Sequence, residues 1–276
     1  MLALVDGDIV LHRCGYASDN DPLGIALART DEMLDIMLND LKADSFEVYM
    51  SDNYTNNFRY CIDPNYKANR KDQVRPVWYK EIKEHLFDKW NAELSLGMEA
   101  DDSLGIRQTE ELYKFDPDSS FWDQPQFLPS VICSIDKDLL QIPGSHYNFV
   151  KKEGRYVSPV EGTRQLYLQM LIGDTSDNIK GVDKIGPVKA GKLLNHIDDE
   201  YEMFEIVQGL YNNDERLLKN GKLLYIRRED NEEWNFPSKP GKRILPGGGH
   251  GPLSTQPMPR VVIPSTELIG AGMVGS

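Results

Sequence analysis

Apolar residues follow two rhythms along the first half of the chain. Short continuous runs end in acids: "LALVDGD" (Leu2 to Asp8), "FEVYMSD" (Phe46 to Asp52) and "SVICSIDKD" (Ser130 to Asp138). Between them, "IALARTDEMLDIMLNDLKA" spaces its apolar residues at helical intervals, and further helices are expected near Pro76 to Ala92, with proline in the first turn, and from Ala100 to Phe115. Strands alternating with helices predict an α/β fold with a central, mostly parallel sheet flanked by helices. Ligands of such sheets bind at the carboxyl ends of the strands, so three strands ending in aspartate converge on one crevice.

From about Ser158 the pattern turns almost wholly helical. "VEGTRQLYLQMLIG" predicts one helix, and Asp199 to Tyr211 and Asn213 to Lys219 two more. Past Trp234 the composition changes, with 15 prolines and glycines in the 40 residues from Pro237 to Ser276, which predicts a flexible tail. Its lone His250 is too little for a metal site. The expected organisation is an α/β core over 1–157 with a segment over the crevice at about 53–75, a helical subdomain over 158–236 and the tail over 237–276.

The 276 residues, 40% of them hydrophobic, suffice for a sizeable core. No apolar run reaches the roughly 20 residues needed to span a bilayer, so a soluble, cytoplasmic protein without signal peptide or membrane partner is expected. Cys14, Cys61 and Cys133 are few and scattered, consistent with buried thiols rather than disulfides or zinc. A net charge of −13 opposes binding to polyanions unless the acids gather where cations neutralise them.

The candidate acids are Asp6 with Asp8, Asp52, Glu99 with Asp101 and Asp102, Asp136 with Asp138, and Asp174 with Asp177. Each group alone could cap a helix. Together at one sheet edge they would repel strongly unless divalent cations lay between them, and an all-oxygen donor set selects Mg2+ or Mn2+ over zinc. Two such ions serve hydrolysis of a phosphodiester best.

Two basic stretches accompany the acids. "NYTNNFRYCIDPNYKANRKDQVRP" carries Arg59, Lys67, Arg70, Lys71 and Arg75 among Tyr54, Phe58, Tyr60 and Tyr66, a mixture suited to single-stranded nucleic acid. "IKGVDKIGPVKAGKLL" reads as a helix end, a tight turn with Gly181 and Gly186, and a helix opening at Pro187, with Lys180, Lys184, Lys189 and Lys192 nearby. Such a helix–hairpin–helix grips nucleic-acid backbone through amides and lysines.

"GMEADD", "SIDKDLLQ", "DPNYKANRK" and "GDTSDNIKGVDKIGPVKAGKLL" resemble, in order and spacing, motifs of the structure-specific 5′ nucleases: flap endonucleases, the 5′ exonuclease domain of bacterial DNA polymerase I, and phage 5′→3′ exonucleases, those of T7-like phages above all. The similarity runs over roughly 1–195. It implies a PIN-like core with a helix–two-turn–helix at about 173–195. It also implies one metal site of Asp6, Asp52, Glu99, Asp101 and Asp102, a second completed by Asp174 and Asp177, and Asp136 and Asp138 between them. Lys67 and Arg70 would contact the scissile phosphate, Tyr66 would stack on a displaced nucleotide, and Lys180, Gly181, Lys184, Gly186, Lys189 and Lys192 would hold duplex DNA, with a potassium ion at the turn. Asp8 stands where many relatives carry a small polar residue. The expected activity is Mg2+-dependent 5′→3′ exonuclease or flap endonuclease cleavage of DNA near duplex 5′ ends, leaving 5′ phosphates. Action on RNA in RNA–DNA hybrids and a catalytically silent junction-binding protein are the competing readings. No obligate protein partner is implied, and a phage-encoded chain would act in the host cytoplasm.

Overall fold

A computed structural model of the chain describes residues 1–53, 56–115 and 128–239. Tyr54 and nearly all of the proline- and glycine-rich tail, His250 included, lie outside the described residues. Six strands form the central sheet: β1 (Leu2–Asp6), β2 (Ser45–Ser51), β3 (Glu93–Ser95), β4 (Ser130–Cys133), β5 (Gly144–Asn148) and β6 (Glu153–Val157). Their order is β3-β2-β1-β4-β5-β6, parallel throughout except for the antiparallel β5–β6 edge.

Every residue of β1 is buried, which is why its sequence runs apolar without alternation. Ala3, Val5, Val48, Met50, Val131 and Cys133 face one layer, packing on α1 (Gly7–Ala17), α2 (Leu23–Leu41) and α4 (Tyr79–Trp90). Leu2, Leu4, Tyr49 and Ile132 face the other, against α5 (Ala100–Phe115) and the 3₁₀ turn Asp138–Gln141. A separate core joins α6 (Pro159–Ile172), α7 (Pro187–Leu194), α8 (Glu200–Tyr211) and α9 (Asp214–Leu224) around Tyr167, Met170 and Leu194. The start of α6 is secured by a reciprocal cap between Ser158 and Glu161, with Pro159 in the first turn.

The chain leaves β1 toward β2 and β3, then crosses back to β4 on the other side of β1. The crevice beyond the carboxyl ends of β1 and β4 is therefore the topological switch point of the sheet. No described helix is long and apolar enough to cross a membrane.

Candidate metal and nucleic-acid site

Asp6 ends β1 and caps α1, its Oδ1 accepting the Ile9 amide at 3.1 Å, while Oδ2 accepts the Ser134 hydroxyl at 2.8 Å. Burial first, then the Asp8 carboxylate, pushes Asp6 up to about 7. Asp101, in the first turn of α5, is likewise raised by burial and then by Asp136, Asp6 and Glu99. Asp138 is raised to about 7 by burial and then by Asp136, Asp174 and Asp177. Two groups of carboxylates thus repel within themselves, and Asp136, on the turn after β4, acts on both. Buried oxygens that resist ionisation in one another's field form a donor set that a hard divalent cation would relieve. Among the described residues, however, no three such side chains are gathered closely enough to ligate one ion in this arrangement.

A basic segment occupies the gap. Lys67 Nζ lies 2.5 Å from Glu99 and 3.7 Å from Asp177, and Arg70 Nη2 is 2.6 Å from Asp177. Burial alone would raise Glu99, but Lys67 and Arg59 overcome it and hold the carboxyl down at about 2. Lys67 and Arg70 do not share a regular helix face, since Lys67 has left-handed backbone (φ 52°) and only Ala68–Arg70 form a short 3₁₀ turn. Tyr66 departs from expectation. It is 2% exposed, its hydroxyl donates to Asp177 at 2.8 Å, and its ring packs edge-on against Tyr60, so no face is open for stacking on a base.

Two of the expected ligands are committed elsewhere. Both oxygens of the fully buried Asp102 are held by Arg59, at 2.5 and 2.9 Å. Arg59 also donates to the carbonyls of Leu223 and Tyr225, drawing the chain that leaves α9 back onto the core. That chain passes close against Gly105, where a Cβ would lie 2.4 Å from the Arg227 carbonyl oxygen. Asp52 accepts the Gly97 amide at 2.9 Å and the Asn53 amide at 2.6 Å, shaping the loop that carries Glu99 rather than joining the acid groups. Asp8 accepts the Ser51 amide at 3.1 Å and stitches α1 to β2.

The helix after the glycine-rich turn opens at Pro187 as expected, but Ile179–Lys180, expected as a helix end, is a strand, and the preceding helix ends at Ile172. Gly173–Asp174 and Ile179–Lys180 pair as a two-residue antiparallel ladder between α6 and the turn. Gly173 takes φ +77°, and a Cβ there would sit 2.3 Å from the Gly181 nitrogen. A Cβ on Gly181 would lie 2.3 Å from the Ile172 carbonyl carbon, so both glycines are required by the close crossing. Gly186, immediately before α7, differs, since a Cβ there meets nothing within 4 Å. Lys184, Lys189 and Lys192 are exposed around it, whereas Lys180 is paired with Asp183 at 2.8 Å. Arg216 and Asn220 of α9 bind the Lys180 carbonyl, and Arg216 also binds that of Gly181.

Arg59 was legible in the sequence only as one cation of the basic segment. Its partner lies 43 residues away, so no local pattern reveals the pair.

No family model matches the chain. It is 29% identical over 150 residues to the 5′-3′ exonuclease of Buchnera aphidicola subsp. Acyrthosiphon pisum, an alignment covering 50% of this chain and 46% of that protein. It is 30% identical over 111 residues to DNA polymerase I of Borreliella burgdorferi, covering 36% of this chain and 12% of that one. The chain therefore spans less than half the length of either curated relative. Among solved structures, the phage T5 D15 protein co-crystallised with metal ions superposes with a TM-score of 0.59 at 18% identity, covering 81% of this chain and 88% of that one. The T5 D15 flap endonuclease in a pseudo-enzyme–product complex with DNA and metal ions gives 0.57 at 18% identity, with the same coverage. The fold is thus that of the T5 5′ nucleases, a mostly parallel sheet flanked by helices.

Proposed function

We propose that this protein is a divalent-metal-dependent 5′→3′ exonuclease and flap endonuclease that hydrolyses DNA phosphodiesters near duplex 5′ ends or flaps and leaves 5′ phosphates. One observation carries the reading. At the switch point of a sheet shared with the T5 nucleases, two carboxylate groups meet through Asp136, with Lys67 between Glu99 and Asp177 and Arg70 on Asp177.

In this reading Asp6, Glu99 and Asp101 hold one cation, Asp138, Asp174 and Asp177 a second, and Asp136 lies between. Mg2+ suits the all-oxygen set, with Mn2+ as its substitute. Bound cations supply water activation and neutralise charge developing on the phosphate. Lys67 and Arg70 would hold the scissile phosphate oxygens. Asp52 and Asp102 support the loop and helix that carry Glu99 and Asp101.

The exposed Gly186, Lys184, Lys189 and Lys192 grip duplex phosphates, and Gly186 suits close approach because nothing of the protein fills the space beside it. Potassium at the turn's remaining carbonyls and the division into core and helical subdomain belong to the same reading. The test is a panel of 5′-labelled flap, nicked, blunt-duplex and RNA–DNA hybrid substrates incubated with Mg2+. Cleavage of flap or duplex DNA ahead of the hybrid is expected. Preferential cutting of the hybrid would assign the enzyme to primer removal, and binding without any cutting would leave a junction-binding protein.

A further inference from the structure

The segment bearing Lys67 has little apolar anchorage. Of residues 63–70 only Tyr66 is buried, so polar contacts must place the rest. Those contacts are concentrated on one partner, the turn that carries Asp174 and Asp177. Three consecutive carbonyls of that turn each accept a hydrogen bond from the segment: Thr175 from Asn69 Nδ2 at 2.7 Å, Ser176 from Arg70 Nε at 2.9 Å, and Asp177 from the Lys67 amide at 3.0 Å. Asn178 reciprocates, donating from Nδ2 to the Asn65 carbonyl at 2.9 Å.

The backbone on both sides of this seam is unusual. Lys67 has φ 52° and Asn178 φ 61°. Left-handed backbone is costly for a lysine and persists only where its surroundings over-determine it, whereas asparagine tolerates it well. Asn178 thus suits its position twice, by its conformation and by its donor. Asn69 is itself exposed and, among the described residues, hydrogen-bonds no carboxylate, yet its amide closes the seam beside Lys67.

We propose that Asn69 and Asn178 are positioning residues that latch the Lys67 segment to the Asp174–Asp177 turn, fixing the Lys67 ammonium between the two carboxylate groups. Without the latch, Lys67 would leave its left-handed conformation and its ammonium would spend most of its time away from the site. The inference rests on the nuclease reading only for what Lys67 then does to a phosphate. The latch itself can be read without catalysis.

The variant Asn69→Ala/Asn178→Gly removes both donors while glycine keeps the left-handed backbone available. Amide hydrogen exchange at Lys67 in the metal-free protein is expected to quicken about tenfold or more, with the amides of the α6 interior unchanged. Single-turnover cleavage at saturating 5′-flap DNA and Mg2+ is expected to slow about tenfold, a barrier change of about 1.4 kcal/mol, with duplex affinity held within about twofold. Adding Lys67→Ala should then cost far less than in the wild-type background, because the latch acts through Lys67. Unchanged exchange at Lys67, or fully additive losses with Lys67→Ala, would overturn the proposal. Should the wild type cut no substrate, the nuclease reading falls, while the exchange rate still decides the latch.

Discussion

Replacing Arg59 by methionine should be far more damaging than its distance from any substrate suggests. Arg59 is 2% exposed and Asp102 fully buried, and the guanidinium meets both carboxylate oxygens at 2.5 and 2.9 Å. Arg59→Met leaves the carboxylate without its counter-charge and the carbonyls of Leu223 and Tyr225 without their donor. Breaking one side of a buried pair costs about 3–5 kcal/mol, and the orphaned carbonyls push toward the upper end. For a chain of this size, at about 2–4 °C per kcal/mol, Tm should fall by about 6–20 °C. The double variant Arg59→Met/Asp102→Leu removes both charges and should recover much of that loss. Circular-dichroism melts of the wild type, these two variants and Asp102→Asn, with Mn2+ binding followed in parallel, make the measurement. If Asp102→Asn melted like wild type yet bound Mn2+ more than about tenfold more weakly, a loss above 1.4 kcal/mol, Asp102 would be a ligand and the structural assignment wrong.

Other expectations concern pH, the turn and the glycines. Asp6 and Asp138 have folded pKa values near 7, above the ordinary 3.8, so the folded state binds more protons than the unfolded one between those values. Their contribution to stability therefore falls as pH rises from about 4 to 7 and is level above that, and saturating Mg2+ should flatten the slope; a metal-free Tm that these groups do not lower over this range, judged against Asp6→Asn/Asp138→Asn, would contradict the burial described. Lys184→Ala with Lys189→Ala should flatten the salt dependence of duplex binding by about 1.8 in log–log slope, and an unchanged slope would remove the turn from the DNA surface. Gly186→Ala should leave Tm unchanged but weaken duplex binding, whereas Gly181→Ala should lower Tm outright because its Cβ would collide with the Ile172 carbonyl carbon. Equal effects of the two would mean that nothing approaches Gly186.

The elements that read clearly in the sequence are those whose period is undiluted. β1 and β4, buried along their whole length, appear as unbroken apolar runs, and α5 spans the expected Ala100–Phe115. The helix α1 does not read as one because Gly7 and Gly15 interrupt its helical signal. Both are required by close packing, a Cβ on Gly7 meeting Met50 Sδ at 2.5 Å and one on Gly15 meeting Pro76 Cβ at 2.6 Å. The antiparallel β5–β6 edge escapes because half-exposed strands such as "EGRYV" carry a weak pattern. The turn at Asp138–Gln141 is 3₁₀, and α9 runs on to Leu224, past the expected Lys219, because Leu223 and Leu224 are buried.

At the site, the strand ends bring Asp6 and Asp136 together but not Asp52, which follows β2 yet is satisfied by the Gly97 and Asn53 amides. Asp101 and Asp102 are sequence neighbours with opposite fates, because α5 directs one carboxylate toward Asp136 and Asp6 and the other toward Arg59. Tyr66 reads as an aromatic among cations, suited to stacking. Only the fold reveals that its hydroxyl spans Glu99 and Asp177.

Asp136 acts on Asp6 and Asp101 in one acid group and on Asp138 in the other, so it offers a direct test of the central claim. Single-turnover cleavage of a 5′-labelled flap duplex with saturating Mg2+ should be rapid for the wild type and slower by about three orders of magnitude or more for Asp136→Asn, a barrier increase above about 4 kcal/mol, with duplex affinity retained. Cleavage by Asp136→Asn at the wild-type rate, or no cleavage by a wild type that binds the duplex, would contradict the assignment of this crevice as a metal-dependent nuclease site.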